Sequence, residues 1–250
     1  MEGNPQGLER TFNELDEIEG WDFSDLQIEV VGQEWIFYDQ VKRFAGRNRL
    51  LDLGTGGGLK VMKLADHFTE VVAIDSSEKM IATAQKHLRS SCLDKVRFLL
   101  MDATQLAFAP ESFDVTSCRQ GPFVPAEVHR VLKPGGFFLT QQVGEGDKYE
   151  LKKCLGRGQR FQQPPGQLKD NYVNQLRQVE FQDVKVQEYN AIEYYSRPRD
   201  LLLLLKNAPI VPDFGKRVGD FQKLAEYINR HTTKRGIKTN AKRFLLTAKK

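Results

Sequence analysis

Residues 50–58 read LLDLGTGGG, an apolar run that stops at an acid and breaks into clustered glycines. That order of residue types is the pattern of a strand, a tight turn and the start of a helix. Glycines accept positive φ and let a backbone approach a ligand with no Cβ between them, so Gly54, Gly56, Gly57 and Gly58 suit a loop that closes on a bound molecule. Regular spacing follows downstream: VVAID ends at Asp75, VRFLLMD at Asp102 and SFDVTSC at Cys118, and VLKPGGFFLTQQV comes next. Short continuous apolar runs alternating with helical patterns predict an α/β fold, with a mostly parallel sheet buried by helices on both faces.

The pattern divides the chain into three. Residues 1–46 read as an N-terminal helical cap, because Leu26, Val30, Val31, Phe37, Tyr38 and Val41 fall at mostly helical spacing. Residues 47–146 hold the alternating core. Residues 147–250 read as the remainder of the sheet with a helical insertion: a connector over 156–166, a helix over 168–178, a strand over 184–189, helices over 197–230 broken around Pro209–Pro212, and a closing strand over 243–248. The excursion over 190–235, with Tyr194, Tyr195 and the run 201–205, is expected to cap the substrate.

Several classes are disfavoured. No apolar run approaches the roughly 18–20 residues of a membrane span. The opening MEGNPQGLERTF has neither a basic head nor an apolar segment, so export is not expected. Cys92, Cys118 and Cys154 are scattered, which points to a reducing, cytoplasmic setting without a disulfide framework, and no metal is expected. Net charge is +4, but the first forty residues carry eleven acids and one base, whereas residues 216–250 carry eleven bases and two acids. This asymmetry reads first as solvated surface or attraction between the two ends, and second as a face for RNA.

Ligands of an open parallel sheet collect at the carboxyl ends of strands near the switch point. The glycine loop, Asp75, Asp102 and Arg119-Gln120 share that rim. Asp75 lies 21 residues after Gly54, where an acid accepts hydrogen bonds from ribose hydroxyls. A dinucleotide fingerprint would need glycine at position 59, where this chain has Leu59, and GxxxxGK[ST] is absent. Asp52, two residues before Gly54, would repel a pyrophosphate and attract a cation, as in a sulfonium nucleoside with an amino-acid tail.

Taken together, LLDLGTGGG, VVAIDSSEKMI, the acid of MDATQLAF, PESFDVTSC and EVHRVLKPGGFFLTQQVG resemble the class I S-adenosylmethionine-dependent methyltransferases, of the type 11-like kind. The WDFS opening, the QQVG tract and the basic last strand resemble a bacterial subgroup of that family. The resemblance implies a Rossmann-like three-layer α/β/α fold, S-adenosylmethionine as cofactor, and methyl transfer by in-line displacement to an O, N or C atom of a small-molecule acceptor. Carried over by residue, it implies that Asp52 with Gly54, Thr55, Gly56 and Gly57 holds the methionine part. Asp75, with Ser76 beside it, would take the ribose, Met80 the adenine face, and Asp102 with Ala103 the adenine edge. Arg119 and Gln120 would lie between cofactor and substrate.

Local roles compete. Asp75 suits a helix cap, Asp102 a turn cap, Met80 the core, and His129 is a helix residue rather than a base. Trp21, Phe23 and Tyr38 are expected to roof the pocket, and one of Gln141 and Gln142 to face the substrate. SCRQGPF stands where an NPPY-like tetrad would mark adenine-N6 or glutamine methylation, and no Pro-Cys pair marks a cytosine nucleophile. No catalytic residue is advertised. Displacement at a sulfonium needs chiefly alignment and exclusion of water.

Overall fold

A computed structural model describes residues 4–15, 23, 25–46 and 48–250; Trp21 lies outside them. The central strand is β2 (Arg49–Leu53), whose RLLDL sequence is buried at four of its five positions. A strand buried on both faces must sit between neighbours and under helices, and β2 pairs in parallel with β3 (Glu70–Asp75) on one side and β5 (Phe113–Arg119) on the other. β4 (Val96–Leu100) adds to β3 and β6 (Leu132–Val143) adds to β5, again in parallel. β4 alternates buried and exposed residues along its start, as an edge strand does.

The chain therefore runs outward from β2 in one direction through β3 and β4, then returns to β5 on the other side. This reversal opens a crevice at the carboxyl ends of β2 and β5. Beyond β6 the ladder becomes antiparallel, through β9 (Gly236–Lys249), β7 (Gln182–Tyr195) and β1 (Ile28–Val31). A short β8 (Thr232–Thr233) pairs with β9. The full order is β1-β7-β9-β6-β5-β2-β3-β4.

Two apolar layers cover the sheet. On one face, α2 (Phe37–Lys42), α3 (Leu59–Met62) and α4 (Glu78–Arg89) bury Phe37, Val41, Val61, Ile81 and Ala84. α4 begins where Ser77 accepts a hydrogen bond from the Met80 N–H. On the other face, α5 (Pro125–Val131) and α7 (Gln167–Gln178) bury Val128, Val131, Val173 and Leu176. A third cluster forms a lateral lobe from α1 (Pro5–Glu14), α6 (Tyr149–Leu155), α8 (Pro198–Asn207) and α9 (Asp220–His231). In α9, Leu224, Ala225, Tyr227 and Ile228 make the buried stripe of a helix with one apolar face.

Two expectations are corrected. Ile28–Val31 is a strand, because its β-branched run finds Ile192–Tyr195 as partner, and a four-residue window fits either period. Residues 190–195 continue β7 instead of opening the excursion, and β9 starts at Gly236 instead of 243; their mutual pairing from Tyr195↔Ile237 to Lys185↔Thr247 extends both. The insertion is thus residues 196–235. Among the described residues no helix is long and apolar enough to cross a membrane. The opposite charges of the two ends do meet at one point, where Arg235 pairs with Glu29 and lies over the Tyr194 ring.

Candidate active site

Gly54 leaves β2 at φ +69° and Gly56 turns at +60°, both in the left-handed region. The loop is tied to β3 by Asp75, whose Oδ2 accepts from the Gly56 N–H at 2.9 Å while Oδ1 accepts from the Ser77 N–H at 2.9 Å. Asp75 thus bridges the glycine turn and the entry to α4, and also sits on the rim. A groove of about 290 Å³ runs between these elements. Its walls are Gly54–Gly58, Asp75 with Ser76, Met101–Ala103 and Arg119–Pro122.

Asp102 is on that wall and also caps a turn. Its Oδ1 accepts from the N–H and the hydroxyl of Thr104, both at 2.8 Å, which holds the carboxyl below its usual range. Met80 does not line the groove. It lies in the first turn of α4, and Met101, just past β4, supplies the apolar wall instead.

Asp52 also departs from its expected place. It is fully buried beneath the loop and lines neither cavity. The reason is its position inside β2: one oxygen accepts from the Ser117 hydroxyl of β5 at 2.5 Å, the other from the Tyr38 hydroxyl of α2 at 3.2 Å. Burial raises its carboxyl to about 6 against these hydrogen bonds. Burial and Asp52 together push the Tyr38 phenol well above its ordinary range. Asp52 acts on the site by fixing Tyr38, which lines both the groove and the cavity beside it.

That second cavity is about 930 Å³ and shares Tyr38, Lys60 and Arg119–Pro122 with the groove. Phe23, Tyr172, Tyr189, Tyr195 and Ile210 give it an aromatic and apolar lining. Both glutamines of the QQ pair border it. Gln141 accepts from the Trp35 indole N–H at 2.8 Å, and the Gln142 amide donates to the Gly121 carbonyl at 3.0 Å and the Thr140 hydroxyl at 2.9 Å. Gln120, at φ +59°, faces both spaces. Burial pushes the Cys118 thiol up to about 12, so it is no nucleophile at neutral pH.

The cavity floor holds charges that sequence reasoning missed. Lys148 pairs with Glu193, which also accepts from the Tyr195 hydroxyl at 3.1 Å, and Arg243 pairs with Asp147. Asp147, Lys148 and Glu193 are buried. The visible signal was the charged GEGDK run directly after β6. Its partners on β7 and β9 lie about 45 and 95 residues away, and no local pattern names them.

The groove fits a nucleoside cofactor with a cationic amino-acid tail. Its loop is glycine backbone, Asp75 stands at the end of β3 on its wall, Met101 and Ala103 give an apolar bed, and the Arg119 side chain makes no hydrogen bond or ion pair among the described residues. Gly58 shows how tightly the loop is backed: a Cβ on it would come within 2.5 Å of the Phe98 ring, and its φ is +80°.

Comparison with known proteins agrees with this geometry. Residues 50–136 match a family described as a methyltransferase domain. The chain is 31% identical over 180 residues to the biotin biosynthesis bifunctional protein BioHC of Cellvibrio japonicus, covering 64% of this chain and 33% of that protein. It is 32% identical over 130 residues to the ubiquinone biosynthesis O-methyltransferase of Pseudomonas entomophila, covering 49% and 54%. The chain thus spans about a third to a half of these curated relatives. Among solved structures, YcgJ of Bacillus subtilis superposes with a TM-score of 0.62 at 18% identity, over 85% of this chain and 97% of that one, a likeness of fold.

Proposed function

We propose that the chain transfers a methyl group from S-adenosylmethionine to a small-molecule acceptor, on the premise that its residues 50–136 match a family described as a methyltransferase domain. The observation that supports this most is the shared wall: Tyr38, Arg119 and Gln120 border both the groove and the 930 Å³ cavity, so a donor in one meets an acceptor in the other. When bound, S-adenosylmethionine supplies an electrophilic methyl group on a sulfonium.

The protein's part is positioning. Asp75 would accept from the ribose hydroxyls, the glycine loop at Gly54 and Gly57 would close on the amino-acid part while the Thr55 and Gly56 N–H groups stay bonded to β3, and Arg119 would pair with its carboxylate. Met101 and Ala103 would give the adenine an apolar bed on one side, with Asp102 at its amino edge. The Asp52 charge, carried through Tyr38, favours the cationic centre. The aromatic lining and Tyr38 exclude water from the line of transfer. Gln120 and Gln142 face the acceptor, and no side chain is assigned as a base.

Relatives named for ubiquinone and biotin biosynthesis support a small-molecule acceptor. The test is incubation of the purified chain and methyl-labelled cofactor with cell extract separated into metabolite and RNA fractions. Label is expected in the metabolite fraction. Label confined to RNA would contradict the acceptor class and return the role to the basic strand, and transfer to neither fraction would contradict the enzyme.

A further inference from the structure

Beneath the larger cavity, among the described residues, Lys148, Lys152 and Arg243 face the carboxylates of Asp147 and Glu193, three cations against two anions in one largely buried cluster. The adjoining Glu145 and Arg160 add one charge of each sign and leave the excess in place. Glu145 is consumed internally, because its carboxylate accepts from the Gly166 N–H at 3.0 Å and the Leu168 N–H at 2.7 Å. Among the described residues the Lys152 ammonium is bonded only to the backbone carbonyls of Gln159, at 2.8 Å, and Glu145, at 3.5 Å. A buried cluster with surplus positive charge is costly until an anion joins it. Burial, together with the neighbouring cations, pulls the Lys152 ammonium below its ordinary range even against Asp147.

Arg160 is the group placed to receive that anion. It lines the cavity, is half-buried, and its guanidinium makes no hydrogen bond or ion pair among the described residues. Its connector is fixed on three sides. Arg157 makes a two-pronged pair with Asp220 at 2.9 and 2.7 Å, the Gln159 N–H donates to the Ile210 carbonyl at 2.8 Å, and Lys152 holds the Gln159 carbonyl. Arg160 itself sits at φ +55°, a left-handed conformation unfavourable for a side chain with a Cβ. A strained residue on an anchored loop, aimed into a cavity with its guanidinium unpaired, is a positioned anion receptor.

Resting on the methyl-transfer reading above, we infer that the acceptor carries an anionic group, a carboxylate or a phosphate, which seats on Arg160 above the Lys148–Lys152–Arg243 cluster while its apolar body lies against Tyr172 and Ile210. The positive surplus of the floor and the aromatic walls then serve the two ends of one molecule.

The experiment is calorimetry on the S-adenosylhomocysteine-loaded chain with matched pairs of probes: benzoate, cinnamate and phenyl phosphate, each against a neutral ester or amide of the same shape. At least one anion should bind ten-fold or more tightly than its neutral counterpart, and the winning pair tells carboxylate from phosphate. Arg160→Gln should abolish that preference, Arg160→Lys should restore part of it, and affinity for S-adenosylhomocysteine, measured on each variant, should not move. No anion preference in the wild type, or a preference untouched in Arg160→Gln, would overturn the inference and leave the methyl-transfer reading standing. Failure of the wild-type chain to bind S-adenosylhomocysteine would instead overturn the reading on which it rests.

Discussion

At the scale of single residues, Asp52 carries a physical cost that the site puts to use. Its side chain has no solvent exposure and is surrounded by the Ser117, Thr55 and Tyr38 hydroxyls and by the Arg119 charge. The carboxyl rises from 3.8 to about 6 in the fold. Between those pH values the folded chain keeps a proton that the unfolded chain has lost, so its stability falls as pH rises from about 4 to 6 and is level above. The shift corresponds to roughly 2–3 kcal/mol. Asn is neutral throughout, so Asp52→Asn should match the wild type near pH 4 and exceed it by about that amount at pH 7, read from urea unfolding at each pH. A stability difference that does not change with pH would contradict this.

The same residues show what could be read early. Asp75, Asp102, the glycine loop and Arg119 were legible, because each ends an apolar run and strand ends converge at the switch point of a parallel sheet. Met80 was not separable from Met101, since helix phase and strand end are both plausible neighbours of an adenine and only the packed groove chooses between them. Asp52 looked like a direct ligand for want of its partner, Tyr38, which comes from another element.

At the scale of elements, the parallel strands and their helices declare themselves through local composition, whereas β1, β7 and β9 depend on one another. IEVV at 28–31 becomes a strand by pairing with 192–195, and the cavity floor exists because β7 and β9 bring Glu193 and Arg243 to the turn after β6. That turn carries Lys148 in a left-handed conformation at φ +51°, held by Glu193 and by the Asn240 carbonyl at 3.1 Å. Lys148→Met would leave the buried Glu193 carboxylate without its cation and should cost about 3–5 kcal/mol. Adding Glu193→Gln should recover most of the loss. Equal losses in single and double variants, measured by chemical denaturation, would show that the pair is not what holds the turn.

At the scale of the whole molecule, three apolar clusters do three jobs. Two clamp the sheet and set the groove at the ends of β2, β3 and β5. The third joins α1 to α6, α8 and α9, and its Tyr195 and Ile210 reach the lining of the larger cavity. On the proposed reading the groove on the sheet would hold the cofactor, and the lobe, whose Tyr195 and Ile210 border the larger cavity, would choose the acceptor. Between residues 49 and 143 the strands and helices fall on the alternating apolar runs of the sequence. The lobe was only half visible, since its first and last helices are far apart in the chain.

Everything turns on whether the groove takes a sulfur nucleoside at Asp75. Calorimetric titration of the purified chain with S-adenosylhomocysteine measures this directly. One-site binding is expected for the wild type, weakened 100-fold or more in Asp75→Ala, as befits two hydrogen bonds to a charged acceptor worth roughly 1.5–3 kcal/mol each. No heat of binding with the wild type, or equal affinity in wild type and Asp75→Ala, would contradict it.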